Sequence, residues 1–315
     1  MIMKSKTVMK IRHGIEYFVA YLVMVSLQHT KLETAIKAAE RLGDFVFFIL
    51  KTRRKVVFDN LSIAFPDMSY EEKYRIARRS YRNFAKMIFE YCRFPVLTKE
   101  DVLSVVSVEG EKEIDKALKA GKGGVMVAGH FGNWELMGAA LALKGYPVCF
   151  LVGEQHNKYV DNKMNEFREL MGIKIIHRGV AVRGVLKALR QNQFVALLSD
   201  QDAGKDGIFV DFFGRQSSTH QGAAVFALKT GAPIITGVPV RVGKFRHHVI
   251  CGVIKTDQYS GVTDENVKAL TQAYTTFLEE QIKKYPDHWF WMHRRWKSRP
   301  EPKQDNSAGA GYDGE

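Results

Sequence analysis

The residues with the most evident capacity for chemistry are His130 and Glu135, five positions apart in Val127-Ala-Gly-His-Phe-Gly-Asn-Trp-Glu-Leu-Met137. A neutral imidazole backed by a carboxylate is the usual arrangement for general-base catalysis. The carboxylate fixes the tautomer and stabilises the imidazolium formed when a proton is taken. The same spacing also suits a satisfied core histidine followed by a glutamate that favours a helix start. Within one continuous helix the two side chains would stand roughly 140° apart, at about 100° per residue. A direct pair therefore needs the histidine off the helix, and Gly129 and Gly132 provide the backbone freedom for a turn there.

The flanking elements fit that requirement. Gly124–Ala128 is short, apolar and β-branched at two positions, so it reads as a buried strand. Asn133 suits an N-cap, and Trp134 to Leu143 reads as a helix. His130 then lies between strand end and helix start, and Glu135 in the first helical turn. The helix N-terminus by itself disfavours an imidazolium and keeps the base free.

Around this unit the chain divides into four parts. Residues 1–30 carry Lys4, Lys6, Lys10 and Arg12 ahead of an apolar run from Tyr17 to Val25, which is shorter than the ~20 residues of a spanning helix. The run reads as a membrane anchor with its cations at anionic headgroups, or as a buried core helix. Residues 31–104 read as helical, with Ser69-Tyr-Glu-Glu72 as a capping box opening a helix to about Tyr91. Arg53, Arg54 and Lys55 form a basic knot there, suited to a solvated linker or a phosphate contact. Residues 105–299 alternate strand and helix, with a loop of some twenty residues after a strand at Phe194–Leu198 and a long helix at about Asp264–Lys284. This pattern predicts an α/β fold with a mixed, mostly parallel sheet flanked by helices, where sites gather at strand C-terminal ends. Residues 300–315 read as a disordered tail.

The 315 residues carry a formal net charge of +13. From Pro300 onward one lysine faces four acids, so residues 1–299 carry +16. Such an excess points to a polyanionic partner. Three scattered cysteines, Cys92, Cys149 and Cys251, exclude a disulfide framework and a zinc-finger pattern.

Several ordered stretches resemble the lipid A biosynthesis late acyltransferases, a branch of the His-x4-Asp/Glu acyltransferases. They are Gly129-His-Phe-Gly-Asn-Trp-Glu135; Arg53 to Leu61 with Phe65-Pro66; Ser199-Asp-Gln-Asp202 with Val210-Asp-Phe-Phe-Gly214 and Thr219; Thr230-Gly-Ala-Pro-Ile-Ile235; and Trp291-Met-His-Arg-Arg-Trp-Lys297. The resemblance spans roughly residues 40 to 300. It implies transfer of a fatty acyl chain from acyl carrier protein to a hydroxyl of a phosphorylated glycolipid, a lipid A precursor. The setting it implies is the cytoplasmic face of a bacterial inner membrane, with no metal or redox cofactor. His130 would be the base and Glu135 its support. Another glycolipid or aminolipid acceptor, or an acyl-CoA donor, keeps the same chemistry.

Arg168 matches the arginine that the family places ahead of a Gly-containing turn, and as a substrate contact it would add positive charge at the site; it equally suits a surface arginine. Asp200 and Asp202 follow a buried strand and suit orienting His130, Arg168 or a sugar hydroxyl, or capping the loop. Phe213 and Arg215 suit an acyl-channel wall and a phosphate contact, or a packing turn. Arg294, Arg295 and Lys297 among Trp291 and Trp296 suit a headgroup-facing surface, or a solvated basic end.

Other functions fit less well. Gly121-Lys-Gly-Gly124 precedes its strand and lacks Ser or Thr after the lysine, unlike a nucleotide loop. No His-Glu-x-x-His occurs, and His130 with Glu135 lacks a third metal ligand. No Gly-x-Ser-x-Gly elbow is present, and an activated thioester needs no serine nucleophile. A nucleic-acid-binding protein shares the charge and aromatics but needs a binding motif, and none is present.

Overall fold

The computed structural model describes residues 2–300, and the expected disordered tail lies outside the described residues from 301 onward. Helices come first: α1 (Ile2–His29), α2 (Leu32–Phe45), α3 (Arg54–Ala64), α4 (Tyr70–Tyr91) and α5 (Lys99–Val105). A π-helical turn at Val46–Leu50 extends α2 within the region expected to be helical. Ser69 and Glu72 form the expected capping box at the start of α4.

The α/β part runs β1 (Val106–Glu109), α6 (Glu111–Lys119), β2 (Gly124–Ala128), α7 (Trp134–Leu143), β3 (Val148–Val152) and α8 (Lys158–Leu170). It continues with β4 (Lys174–His177), α9 (Ala181–Arg190), β5 (Phe194–Leu198), β6 (Ile208–Phe212), β7 (Arg215–Thr219) and α10 (Gly222–Thr230). It ends with β8 (Ile234–Arg241), β9 (His247–Ile254) and α11 (Asp264–Lys284). Seven strands form one sheet in the order β1-β9-β8-β2-β5-β3-β4. β8, β2, β5, β3 and β4 are parallel, while β9 pairs antiparallel with β8 and carries β1 alongside it. The mixed, mostly parallel sheet is the one expected. The twenty-residue loop after β5, however, contains the separate β6–β7 hairpin.

The central strands are buried on both faces, which explains their unbroken apolar runs. On one face Met126, Phe194 and Ile235 pack with Leu141 of α7 and Ile114 of α6. On the other, Val125, Val195 and Ile234 meet α9, α10 and α11. The N-terminal helices share a core with the α/β part, for Phe47, Leu61 and Tyr81 pack with Val238, Trp289 and Trp291.

α1 lies against α8, where the Asn157 amide donates to the His13 carbonyl (2.9 Å) and Tyr17 packs on Tyr159. Its other positions leave Ile11, Ile15, Phe18 and Leu22 exposed. Among the described residues, no helix is long and apolar enough to cross a membrane.

Candidate active site

The site begins with strand register. β2 and β5 are parallel neighbours, with Ala128 opposite Leu198. His130 and Asp200, each two residues beyond its strand, therefore emerge side by side at the C-terminal edge. Asp200 Oδ1 accepts from His130 Nδ1 at 2.8 Å, and Oδ2 accepts the His130 backbone N–H at 2.8 Å. The Trp289 indole N–H donates to the same Oδ2, also at 2.8 Å. An ionised carboxylate only accepts, so Nδ1 carries the proton and Nε2 keeps its lone pair.

Electrostatics reinforce the pairing. Burial opposes ionisation of Asp200, but the His130 charge and the surrounding hydrogen bonds outweigh it and bring its pKa down to about 2. Burial likewise opposes protonation of His130, yet the Asp200 carboxylate, with a lesser contribution from Glu135, raises its pKa above the ordinary 6.5.

Glu135 is not the carboxylate bonded to His130. Its two oxygens take a bidentate fork from Arg168, at 3.0 Å from Nε and 2.6 Å from the terminal nitrogen. Asn165 accepts from the remaining arm of Arg168 at 2.9 Å. A helix-start position directs Glu135 toward α8, while the longer reach across the sheet edge brings Asp200 to the histidine. The sequence expectation of a direct His130–Glu135 pair is corrected here; Arg168 is a buried ion-pair partner rather than a surface residue.

Three further supports hold the turn. Gly132 has φ +53, and a Cβ there would stand 1.9 Å from the Pro239 carbonyl oxygen, so only glycine fits. The Gly132 N–H donates to the His288 carbonyl (2.8 Å), and the Phe290 N–H donates to the His130 carbonyl (2.9 Å). Gly132 N–H is therefore engaged and is no donor for a ligand. Asn133 caps α7 by accepting from the Leu136 N–H and donates its amide to Glu90 of α4 at 2.8 Å. Glu90, buried, also receives a fork from Arg241 at 2.8 and 2.6 Å. Nothing in the local spacing singled out Glu90 or Trp289. The one signal for Glu90 is an acid set within the apolar stretch Met87-Ile-Phe-Glu-Tyr91.

A cavity of about 520 Å³ opens at this point. His130, Glu135, Arg168 and Gln201 supply polar groups, and Met126, Met137, Leu141, Phe150 and Ile235 are among its apolar walls under α7. Such a volume and lining are typical of a small-molecule site, about 300–1,000 Å³.

The other expected site residues lie outside this lining. Asp202 accepts from the Ser298 N–H (3.1 Å) and hydroxyl (3.0 Å) and from the Gly204 N–H (3.2 Å), so it ties the segment after Trp296 to its own loop. Phe213, at φ +56 in the β6–β7 turn, packs on Phe65 and Trp296 rather than walling the cavity. Arg215 is exposed on β7 and does not line the cavity either. Within Trp291–Lys297 the tryptophans, Met292 and Arg295 are buried, while Arg294 and Lys297 stay exposed, so only Arg295 of the three cations is withdrawn from a headgroup-facing surface. Trp291 and Arg295 are fully buried, and Arg295 donates to the Ser218 carbonyl and the Thr219 hydroxyl, both at 2.5 Å. Burial pushes its pKa down to about 10, which leaves it charged at neutral pH. Asn60 clasps the same segment through the Trp291 and His293 carbonyls (2.8 and 2.6 Å), and Arg53 reaches the Met292 carbonyl at 3.2 Å. The two distant sequence blocks are thus one structural joint behind the histidine turn.

The chain is 27% identical to a lipid A biosynthesis palmitoleoyltransferase of Escherichia coli K12 over 263 residues, covering 82% of this chain and 84% of that protein. It is 24% identical to the lipid A biosynthesis lauroyltransferase of the same organism, with the same coverage of each chain. A phosphatidylinositol mannoside acyltransferase of Mycolicibacterium smegmatis is 24% identical over 233 residues, covering 70% of this chain and 72% of that protein. The family model for bacterial lipid A biosynthesis acyltransferase matches residues 2–298, nearly the whole of the described chain and every element that builds the histidine turn and its cavity. The chain belongs to that acyltransferase family.

Proposed function

We propose that this acyltransferase moves a fatty acyl chain from acyl carrier protein to a hydroxyl of a lipid A precursor, with His130 as general base and Asp200 as its orienting carboxylate. The observation that carries the reading is the imidazole, fixed by Asp200, lining a largely apolar cavity of about 520 Å³, a volume that suits an alkyl chain. His130 Nε2 takes the hydroxyl proton as the oxygen attacks the thioester carbonyl. The tetrahedral intermediate collapses with cleavage of the carbon–sulfur bond, and the imidazolium returns the proton to the departing thiolate. Asp200 stabilises the imidazolium throughout. Arg168, held by Glu135, and the free N–H groups in the first turn of α7 are the donors for the oxyanion.

The +16 of residues 1–299 favours both an acidic carrier and a phosphorylated acceptor. The exposed apolar positions of α1, beside Lys10 and Arg12, favour work at an anionic membrane surface, here the cytoplasmic face of the inner membrane. A second reading keeps the chemistry and changes the acceptor to another glycolipid, prompted by the similarity to phosphatidylinositol mannoside acyltransferases.

The test is a purified-enzyme assay with acyl carrier protein thioesters and a lipid A precursor, beside mass spectrometry of lipids from a deletion strain. Loss of one secondary acyl chain from lipid A is expected in the strain. His130→Ala is expected to lower turnover at least ~100-fold. Unaltered lipid A in the deletion strain would reject the acceptor, and near-normal turnover by folded His130→Ala would reject the base.

A further inference from the structure

The end of α2 and its π-helical turn present a surface that the acyl-transfer reading leaves unused. Phe45, Phe48, Ile49 and Leu50 are 47%, 38%, 65% and 56% exposed, and Leu42 on the preceding turn is 42% exposed. Large apolar side chains gathered this closely on the surface of a folded chain mark an interaction site. Cations surround them. Arg41 and Lys51 are exposed and pair with no acid among the described residues. The Arg78 guanidinium lies 5.2 Å from the Phe48 ring centre. Of the acids flanking the patch in sequence, Asp44 is already held by Arg78 and Arg82, and Glu40 by Lys86.

The backbone at this place is strained. Lys51 (φ 51) and Arg53 (φ 55) are left-handed without being glycine, a conformation that persists only where the surroundings or the function hold it. Together they end the π-helical turn at Leu50 and start α3 at Arg54, so the apolar residues form the tip of a sharp bend. The buried neighbour Phe47 anchors that tip to Tyr74 and Tyr81 of α4.

We propose that this bend is a membrane-docking surface, inserting Phe45, Phe48, Ile49 and Leu50 among the acyl chains of an anionic bilayer while Arg41 and Lys51 contact its headgroups. It rests on the membrane reading above and extends it to a second contact, separate in sequence from α1. Stable attachment of a peripheral protein takes more than one such signal, and apolar insertion with an adjoining basic cluster is one effective combination. Positive charge favours an anionic lipid surface over a second copy of this equally basic chain.

The test places a polarity-sensitive nitrobenzoxadiazole probe on Ile49→Cys in the full chain and, as a reference, on Glu113→Cys, an exposed position of α6. Cys92 and Cys149 are buried, and the half-buried Cys251 is replaced by Ala in both proteins to confine the label. With vesicles of phosphatidylethanolamine and phosphatidylglycerol, the Ile49 probe is expected to shift to the blue and to be quenched by spin-labelled acyl chains, with the Glu113 probe unchanged. Ile49→Glu with Leu50→Glu is expected to weaken vesicle binding at least ~10-fold, and vesicles of neutral phosphatidylcholine to bind less. A protein that sediments with vesicles while the Ile49 probe stays water-exposed would overturn the docking surface and leave the membrane reading standing. A blue shift that follows protein concentration without vesicles would assign the surface to a second copy and overturn it as well. No sedimentation under any condition would overturn both.

Discussion

His130 gives one ring nitrogen to support and leaves the other for the proposed proton transfer, and the support comes from a residue seventy positions away. Asp200 raises the His130 pKa, so the neutral base accumulates only as pH rises through a value above 6.5. The rate under kcat/KM conditions should therefore increase with pH across that limb. Asp200→Asn removes the raising charge and leaves burial, which acts in the opposite sense; its acid limb is expected at lower pH, with a plateau at least ~100-fold reduced. Parallel pH–rate profiles of the two proteins check this, and an unmoved limb would separate Asp200 from the titrating base. Glu135 and Arg168 form a different unit. Their side chains are 4% and 12% exposed, so removing either leaves a buried charge unpaired, at a cost of about 3–5 kcal/mol. Removing both should cost less than the two single losses together. Denaturant unfolding of Glu135→Ala, Arg168→Ala and the double variant measures the difference, and strict additivity would contradict the pair.

At the scale of elements, the histidine turn is a joint between β2 and α7 gripped from two sides, by the 288–290 segment and by Glu90 of α4. Glu90 has its pKa lowered to about 2, because Arg241 and His247 outweigh its burial. Its stabilising effect is complete above the ordinary value of 4.5 and is lost as pH falls toward about 2. Glu90→Ala is expected to lower stability by about 3–5 kcal/mol. Glu90→Gln should flatten the fall of melting temperature with acid over that range, and thermal melts between those pH values check both. Much of this architecture was legible in the sequence. The alternation of apolar runs and amphipathic stretches marked β5 and α11 to the residue, and the Asn133 cap and the Ser69–Glu72 box were readable from side-chain type. The pairing of His130 was legible only in part: the position of Asp200 after a buried strand made it one of several orienting candidates, but spacing reports only local neighbours, whereas Asp200 arrives through the order of strands in the sheet. For the same reason Glu135 drew the expectation that belonged to Asp200. The β6–β7 hairpin was hidden by its polar second strand, Arg-Gln-Ser-Ser-Thr, whose burial comes from Arg295 rather than from apolar alternation.

On the scale of the whole molecule, the fold sets His130 beside a largely apolar cavity, and on the proposed function that geometry ought to measure the acyl chain. The slot runs beneath α7 from the C-terminal ends of β2 and β5 toward the first residues of β3, where Val148 and the fully buried Ile114 stand. His130, Ser199 and Gln201 line it at the C-terminal strand edge and Val148 and Ile114 at the opposite end, so on the proposed function a chain enters tail first with its thioester left beside His130. Each further methylene buried contributes about 0.8 kcal/mol. Two carbons are therefore worth roughly 15-fold in kcal-to-rate terms, until the chain meets the floor. Beyond that length the tail must displace side chains packed at interior density, and the gain reverses. Ile114→Phe raises the floor and is expected to move the preferred donor to a shorter chain; Ile114→Ala lowers it and should favour a longer one. The assay compares kcat/KM over a series of acyl carrier protein thioesters differing by two carbons, with His130 and Asp200 intact in every protein. A preference that shifts in opposite directions in the two variants fixes the tail at Ile114. One that stays the same in both would mean that the chain lies elsewhere and that this slot does not measure it.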